Sequence, residues 1–436
     1  MPRPYKVDNM RITTAIIALS VSLLASAQQA GDTILTLEQC QQRALANNAA
    51  IRKSSTAAQA ATEVRKNAFT KYFPQVSAQG FGFRASNYVL QYNILDMLDI
   101  ELIKHGIGVG VTALQPIFMG GQIVNGNKLA EIGEAVALLQ AHQSEREVKL
   151  TTEKYYWELA SLKATRSTLV KAIATLDTLD YQVGVAVNAG VTLKNDLLRV
   201  ELLRNDFRSQ LVDLDNGIKL CRMVLSQYIG GNINAPIDIN AEVPEQMPPY
   251  PAALHIEASS ALPNTLDYQL LVENVKAKRL EKKIELGKNL PTVVGGAGWY
   301  YHNVFNQGHN FGAIMLGINV PISGWWGGSH SMKKAELELQ NAQTELSDLS
   351  EMLQINMQNK WDELTAAHRK MEIAQQAIGQ STENLRLNRV YYQAGTSTIS
   401  DLLDAETIHK TALDTYASAY CNFRSAMAAY LDATAR

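Results

Sequence analysis

The sequence predicts a mainly α protein with membrane β-strands, written twice along one chain. Three observations predict it: a repeat at a fixed offset, helical segments far longer than a globule needs, and four strand candidates bounded by proline.

The repeat is read first. Gly190-Val191-Thr192-Leu193-Lys194-Asn195-Asp196-Leu197-Leu198-Arg199-Val200-Glu201 returns as Gly395-Thr396-Ser397-Thr398-Ile399-Ser400-Asp401-Leu402-Leu403-Asp404-Ala405-Glu406, at an offset of 205. Pro116-Ile117 and Pro321-Ile322 keep that offset, whereas Phe73-Pro74 matches Leu290-Pro291 at 217. The first copy therefore holds twelve extra residues between its two prolines. Gly120-Gly121 and Gly327-Gly328 align more loosely, at 207. Each copy reads helix, proline, strand hairpin, proline, long helix, glycine turn, helix. The first runs over 28–230, with its hairpin at about 75–117 and its turn at 188–192. The second runs over 263–436, with its hairpin at about 292–322 and its turn at 393–397. Between them, 231–262 is a proline-rich linker with a short strand expected at Ile237–Ile239.

The helices follow. Segment 329–393 lacks proline, and its inner positions, many Ala or Ser and some polar, step by three and four: Ala335, Leu339, Ala342, Leu346, Leu349, Leu353, Asn356, Lys360, Leu364, Ala367, Met371, Ala374, Ile378, Ser381, Leu385, Asn388 and Tyr392, with a stutter at Lys360. Leu159, Leu162, Leu169, Ile173, Leu176, Val183 and Val187 obey the same rule in the first copy. This is a coiled-coil seam, narrower than the face of a core helix. About 65 residues at ~1.5 Å each reach roughly 100 Å.

The strand candidates are about 75–84, 106–116, 292–301 and 311–321, near the ~10 residues of a tilted membrane strand. Ile107, Val109, Val111 and Ala113 alternate with Gly106, Gly108, Gly110 and Thr112. Ile314, Leu316, Ile318 and Val320 alternate with Met315, Gly317 and Asn319. The same phase is apolar in both copies. The other two strands (Val76, Ala78, Gly80; Val293, Gly295, Ala297) are glycine-rich and leave their lipid face open. Pro74, Pro116, Pro291 and Pro321 mark the strand-helix junctions. Phe73, Phe118, Trp325 and Trp326 form one aromatic level, and Tyr88, Tyr92, Trp299, Tyr300 and Tyr301 another, as membrane barrels show. Four strands leave open edges, which lipid does not tolerate, so strands that span require oligomerisation.

The chain opens with a secretory leader over residues 1–27. Arg3, Lys6 and Arg11 precede an apolar stretch, and Ala25-Ser26-Ala27 is a small-x-small cleavage site. Beyond it no apolar run is long enough for a membrane helix. A formal charge of −2 argues against nucleic acid as a partner. Cys40, Cys221 and Cys421 are too few for a disulfide scaffold and read as small buried apolar residues. Catalytic and metal-binding signatures are missing, so no enzyme, cofactor or metal is expected. Glu406-Thr407-Ile408-His409 has the spacing of a di-iron half-site, but its repeat partner is Glu201-Leu202-Leu203-Arg204, and a solvated helix face is expected instead. His302 and His309, near an expected outer loop, read as surface residues.

The doubled Gly-x-x-x-x-x-Asp-Leu-Leu-x-x-Glu turn, the strand ends Gln115-Pro116-Ile117-Phe118 and Val320-Pro321-Ile322 with their glycine pairs, and the proline-bounded hairpins resemble the TolC-like outer-membrane efflux proteins over nearly the whole mature chain. The resemblance implies a homotrimer in which three chains close a twelve-stranded outer-membrane β-barrel, four strands each, joined to a duplicated α-helical barrel in the periplasm. It implies a periplasmic membrane-fusion adaptor, an inner-membrane pump of RND or ABC type and outer-membrane lipid as partners, and export as the activity. Gly190 and Gly395 would form the periplasmic tips where an adaptor docks. Asp401 and Asp404 match aspartates that ring the aperture, and Asp196 and Tyr392 match positions that hold the tips closed. Ser397 stands where an arginine can complete that closure. Read from the residues alone, Asp401 and Asp404 share a helical face, and threefold repetition would gather six carboxylates that favour cations and raise one another's pKa. Asp near a helix N-terminus also complements the macrodipole, with Ser397 or Ser400 as the cap. Asp404 has no such repeat, since its counterpart is Arg199. Type I protein secretion, or a secreted periplasmic coiled-coil tether or adaptor, are the alternative functions.

Overall fold

The computed structural model describes residues 33–94, 98–234, 237–304, 307–322 and 324–436. The leader expected over 1–27 lies outside them, as do the side chains of Tyr92 and Trp325.

The chain runs β1 (Thr33–Leu35), α1 (Leu37–Asn47), α2 (Ala49–Thr70), β2 (Gln75–Arg84), β3 (Leu90–Ile94), β4 (Leu98–Leu102), β5 (His105–Phe118), α3 (Gln122–Asn188), α4 (Lys194–Tyr228), β6 (Ile237–Ile239), α5 (Leu266–Lys288), β7 (Thr292–His302), β8 (His309–Asn319), α6 (Gly324–Gln393) and α7 (Ile399–Ala433). Twice along the chain, helix, two strands of the main sheet, a long helix and a further helix occur in that order. Helices α3 and α6 have 67 and 70 residues, several times the ~11 of an ordinary helix. No described helix is long and apolar enough to cross a membrane.

Two compact units interleave the copies. One holds the described residues up to Asn48, Lys149–Tyr250 and Ala366–Ala426; the other holds Ala49–Val148, Pro251–Thr365 and Met427–Arg436.

In the first unit, Leu169, Leu176, Val183, Val200, Phe207, Leu385, Ile399 and Leu402 form a buried cluster. Strand β1 pairs in parallel with β6, the strand expected in the linker. Asp238 on β6 meets Lys163 at 2.7 Å and Arg222 at 3.0 Å. Burial opposes its charge, but Lys163, the Ile239 N–H and Arg222 hold its carboxyl below the ordinary range. The linker is fastened by its carbonyls. Tyr156 donates to Asn240, Tyr416 to Pro244 and His368 to Pro248, at 2.7, 3.0 and 3.1 Å. The three cysteines are free and buried, as expected. Burial lifts Cys40 and Cys221 to about 11 and Cys421 to about 12, which keeps them as unreactive thiols.

The seam of α6 needs one correction. From Met357 onward, Met357, Leu364, Met371 and Leu385 are buried at heptad spacing, and Asn356 is exposed. Ala335 and Ala342 are buried too, with Leu346 and Ser350 half-buried beyond them. Two successive steps of four therefore fall at Ala342-Leu346-Ser350, earlier than the expected stutter at Lys360. His368 is buried beside Ala367, held by its bond to Pro248.

The second unit carries the sheet, ordered β2-β5-β7-β8 and antiparallel throughout. The twelve extra residues of the first copy have a structural identity. They belong to a separate two-stranded ribbon, β3 with β4, inserted between β2 and β5 and not expected from the sequence.

Pro74 and Pro291 immediately precede β2 and β7, and Pro321 follows β8, as expected. Pro116 departs from expectation: β5 continues to Phe118, with a bulge between Pro116 and Phe118. A proline fits there because β2 pairs with β5 only as far as Leu114, so the missing N–H has no partner to lose on that side.

Gly120 and Gly121 form the turn from β5 into α3, both at positive φ, +60° and +79°. A Cβ on Gly120 would lie 2.3 Å from the Gly287 carbonyl oxygen, so two copies meet backbone to backbone. Their loose counterparts Gly327 and Gly328 lie inside α6, where a Cβ on Gly328 would meet only the Asn289 side chain.

Candidate functional site

Two places carry the residues singled out in the sequence: the paired helix tips and the sheet.

The tips begin alike. Gly190 and Gly395 share φ +71°, the left-handed conformation that glycine adopts without strain. In the first, Gly190 N–H donates to Val187 and Val191 N–H to Ala186. In the second, Gly395 donates to Tyr392 and Thr396 to Tyr391. Both are Schellman turns that satisfy the last carbonyls of α3 and α6.

The following helices start differently. At α7, Thr398 Oγ1 accepts from the Asp401 N–H at 3.3 Å, and Asp401 Oδ2 accepts from the Thr398 N–H at 2.9 Å. The same oxygen also accepts from the Thr398 and Ser397 hydroxyls, at 2.7 and 3.1 Å. This reciprocal cap is built on Thr398 rather than on Ser397 or Ser400. The hydrogen bonds from the Thr398 side chain, its backbone and Ser397 pull the Asp401 carboxyl below its ordinary range, opposite to the upward push of a carboxylate ring. At α4 the N-cap is Leu193, which makes no side-chain cap bond, while Thr192 donates to Asp196 at 2.7 Å.

Asp196 lies near enough to Tyr392 for its charge to act on the phenol. Tyr392 packs against the buried cluster, and burial and then the Asp196 carboxylate raise its hydroxyl above the ordinary value. Asp404 is exposed, and no hydrogen bond or ion pair among the described residues occupies it. Its repeat counterpart Arg199 donates from Nη1 to Ser400 Oγ, tying the start of α4 to the start of α7. Glu406, buried, pairs with Arg389 across α6 and α7 at 2.6 Å, and His409 contacts Ser381. Glu406 is therefore not on the solvated helix face expected for the Glu406-Thr407-Ile408-His409 segment, and among the described residues no group of three or more His, Cys, Asp or Glu is placed to hold a metal ion.

The sequence carried a signal for the cap that was missed: Thr398-x-x-Asp401 is a capping-box pattern. Gly287 had no signal, because its role is set by the turn it touches.

On the sheet, register shows which phase of the glycine-rich strands shares the apolar face. Ala113, Val111 and Val109 pair with Val76, Ala78 and Gly80 on one side and with Ala297, Trp299 and Tyr301 on the other. Ala297 pairs with Ile314, Gly295 with Leu316 and Val293 with Ile318. Registered partners share a face, so these residues form one apolar surface. It is bare in the single chain: Ile314 is 93 % exposed, Leu316 66 % and Ile318 65 %. Trp299 and Tyr301 close it at one end, and Phe73, Phe118 and Trp326 are exposed at the helix junctions. Tyr300, expected with them, is on the opposite phase, where its ring stacks on Phe311 at 5.3 Å and its hydroxyl lies 3.2 Å from the Thr112 hydroxyl. That second face carries Gln75, Ser77, Gln79, Thr112, His302, His309 and Asn319 among glycines. The edges β2 and β8 have no strand partner among the described residues.

No family model matches the sequence, and neither does any curated protein. Solved structures do match the fold. The outer membrane protein VceC of Vibrio cholerae superposes with a TM-score of 0.77 at 16% identity, over 91% of this chain and 95% of that one. The Campylobacter jejuni CmeC outer membrane channel gives 0.79 at 12%, over 100% and 93%. The open state of the Neisseria gonorrhoeae MtrE outer membrane channel gives 0.75 at 17%, over 91% and 88%. The resemblance read from the sequence holds at the level of architecture: the chain has the fold of the TolC-like outer-membrane channels.

Proposed function

We propose that this chain is one protomer of an outer-membrane exit duct that acts with a periplasmic adaptor and an inner-membrane pump and does no enzymatic chemistry. The observation that carries the reading is the four-stranded sheet, whose edges are open and whose exposed phase is apolar. A lone soluble sheet with such a face invites aggregation. In lipid the same face is satisfied, and three copies joined β8 to β2 remove every edge. The exposed stripe of Leu198, Leu202, Val212 and Leu220 on α4 supports a helical neighbour from another protomer. The fold shared with outer-membrane channels supports the same reading.

The tips serve as the aperture and the adaptor contact, through the turns at Gly190 and Gly395. Within the aperture the geometry separates the two aspartates. Asp401 is committed to its cap, so Asp404 is the carboxylate free to face a passing ion. Asp196 with Tyr392, and Arg199 with Ser400, tie the two tips of one chain in the closed state.

The test is recovery of tag-free protein from the outer-membrane fraction as a detergent-resistant trimer that conducts in planar bilayers. Recovery as a soluble periplasmic monomer overturns the reading. In the reconstituted channel, Asp404→Ala changes conductance and divalent-cation block more than Asp401→Ala does. Identical currents for both variants and the parent across a salt series would sink the aperture assignment.

A further inference from the structure

The β7–β8 hairpin holds two histidines that the reading as a duct does not use. His302 and His309 are the final registered pair of the two strands. Directly opposed residues of an antiparallel pair project to the same face with Cβ atoms about 5 Å apart. Their rings accordingly sit 5.9 Å apart between centroids, tilted by 42°. They share the phase of Tyr300, Thr112 and Phe311, the polar and aromatic face opposite the apolar surface. Phe311 flanks His302 edge-on at 6.2 Å. A recess of about 320 Å³ opens beside His302, walled by Phe81, Tyr300 and Phe311 over Gly108 and Gly110, and His309 is exposed.

We propose that His302 and His309 form a two-imidazole chelate for a divalent transition-metal ion on this face. Imidazole nitrogen bonds such ions at ~2.0–2.1 Å, which places two rings on adjacent positions of one ion at roughly 5 Å between centroids. The observed separation is about 1 Å wider, a distance that side-chain rotation at the loop end of the hairpin closes. Imidazole suits zinc, copper and nickel, and Cu²⁺ binds tightest in the divalent series. No third His, Cys, Asp or Glu joins them among the described residues, so water completes the coordination and the ion exchanges. In the proposed trimer the pair occurs three times around the bore. Bound ions there add positive charge to the path and oppose cation flow.

Binding does not depend on the reading as a channel, whereas current block does, so the two readouts fail separately. Tag-free purified protein is titrated with Cu²⁺ alone and followed by electron paramagnetic resonance. One Cu²⁺ per chain is expected, with nitrogen hyperfine structure from two imidazoles. His302→Ala and His309→Ala each weaken binding by about tenfold or more and remove one nitrogen from the spectrum. Both variants keep the oligomeric state and metal-free conductance of the parent, which shows that they fold. His330→Ala, on α6, leaves binding unchanged. Parent-like Cu²⁺ affinity and spectrum in both variants overturn the proposal, as does a parent spectrum showing a single imidazole. Copper binding without effect on current leaves the chelate standing and removes only its influence on flow.

Discussion

The two tips are the same turn followed by different helix starts. Gly190 and Gly395 share one φ and one hydrogen-bond pattern. Immediately afterwards, Leu193 begins α4 with no side-chain cap, while Thr398 and Asp401 begin α7 with a reciprocal one. The turn is dictated by backbone geometry, which only glycine satisfies freely, so both copies keep it. The cap is worth about 1 kcal/mol, little enough for one copy to do without it. The apolar Val191 and Leu193 of the first tip, 80 % and 71 % exposed, face Thr396 and Thr398 as their counterparts in the second. Duplicated positions thus diverge where the energetic penalty is small and stay alike where it is large.

The largest expected effect tests this at the strand-to-helix turns. Gly120→Ala places a Cβ against a carbonyl at positive φ and is expected to destabilise by about 3 kcal/mol or more, seen as a lower unfolding temperature. Gly328→Ala meets a side chain that can swing and sits in a helix, so it stays within about 1 kcal/mol of the parent. Equal losses would erase the distinction between the two positions. Next come Gly190→Ala and Gly395→Ala, each expected to destabilise its tip by about 1–2 kcal/mol, because the left-handed backbone is strained while nothing lies within 4 Å to clash. Hydrogen exchange at the two turns reads both, and unequal effects would break their equivalence.

Smaller still, Thr398→Ala weakens the start of α7 by about 1 kcal/mol, and Leu193→Thr strengthens that of α4 by a comparable amount, measured by exchange of the first-turn amides. The smallest effect is one of acidity. The Asp401 carboxyl is held below its unfolded value, so its contribution is present at neutral pH. It is lost as pH falls through the folded value, below the ordinary carboxylate range. Faster exchange of the first α7 amides in acid, absent in Asp401→Asn, is the expected result.

Much of this was legible in the sequence because it is periodic. The offset of 205, the exposed phase of Ile314, Leu316 and Ile318 and the strand at Ile237–Ile239 each follow from a pattern within one segment. The remainder depends on partners. Glycine-rich β7 has no clear internal alternation and β2 alternates only as far as Gln79, so pairing with Val109 and Ile314 fixes their face. Trp299, Tyr300 and Tyr301 are consecutive aromatics that a period of two must split, so Tyr300 turns away from its neighbours. The ribbon β3–β4 showed only as a difference in length. The shift from Asn356 to Met357 is invisible to a count of threes and fours that both fit. At the tips, the Thr398-x-x-Asp401 pattern was present in the sequence, whereas the choice of Thr398 over its serine neighbours came from geometry.

The glycines under the aromatic rings have a further consequence. A Cβ on Gly108 would strike Phe81 at 2.5 Å, and one on Gly110 would strike Tyr300 at 2.6 Å. Those rings lie down on bare backbone instead of standing away from it. On the proposed reading this face lines the bore, so the relief of the wall there is about one ring thick rather than one side chain long. The passage gains width without gaining a strand, and a bulkier residue at Gly108 or Gly110 would lift a ring into the path from a position that never touches the cargo.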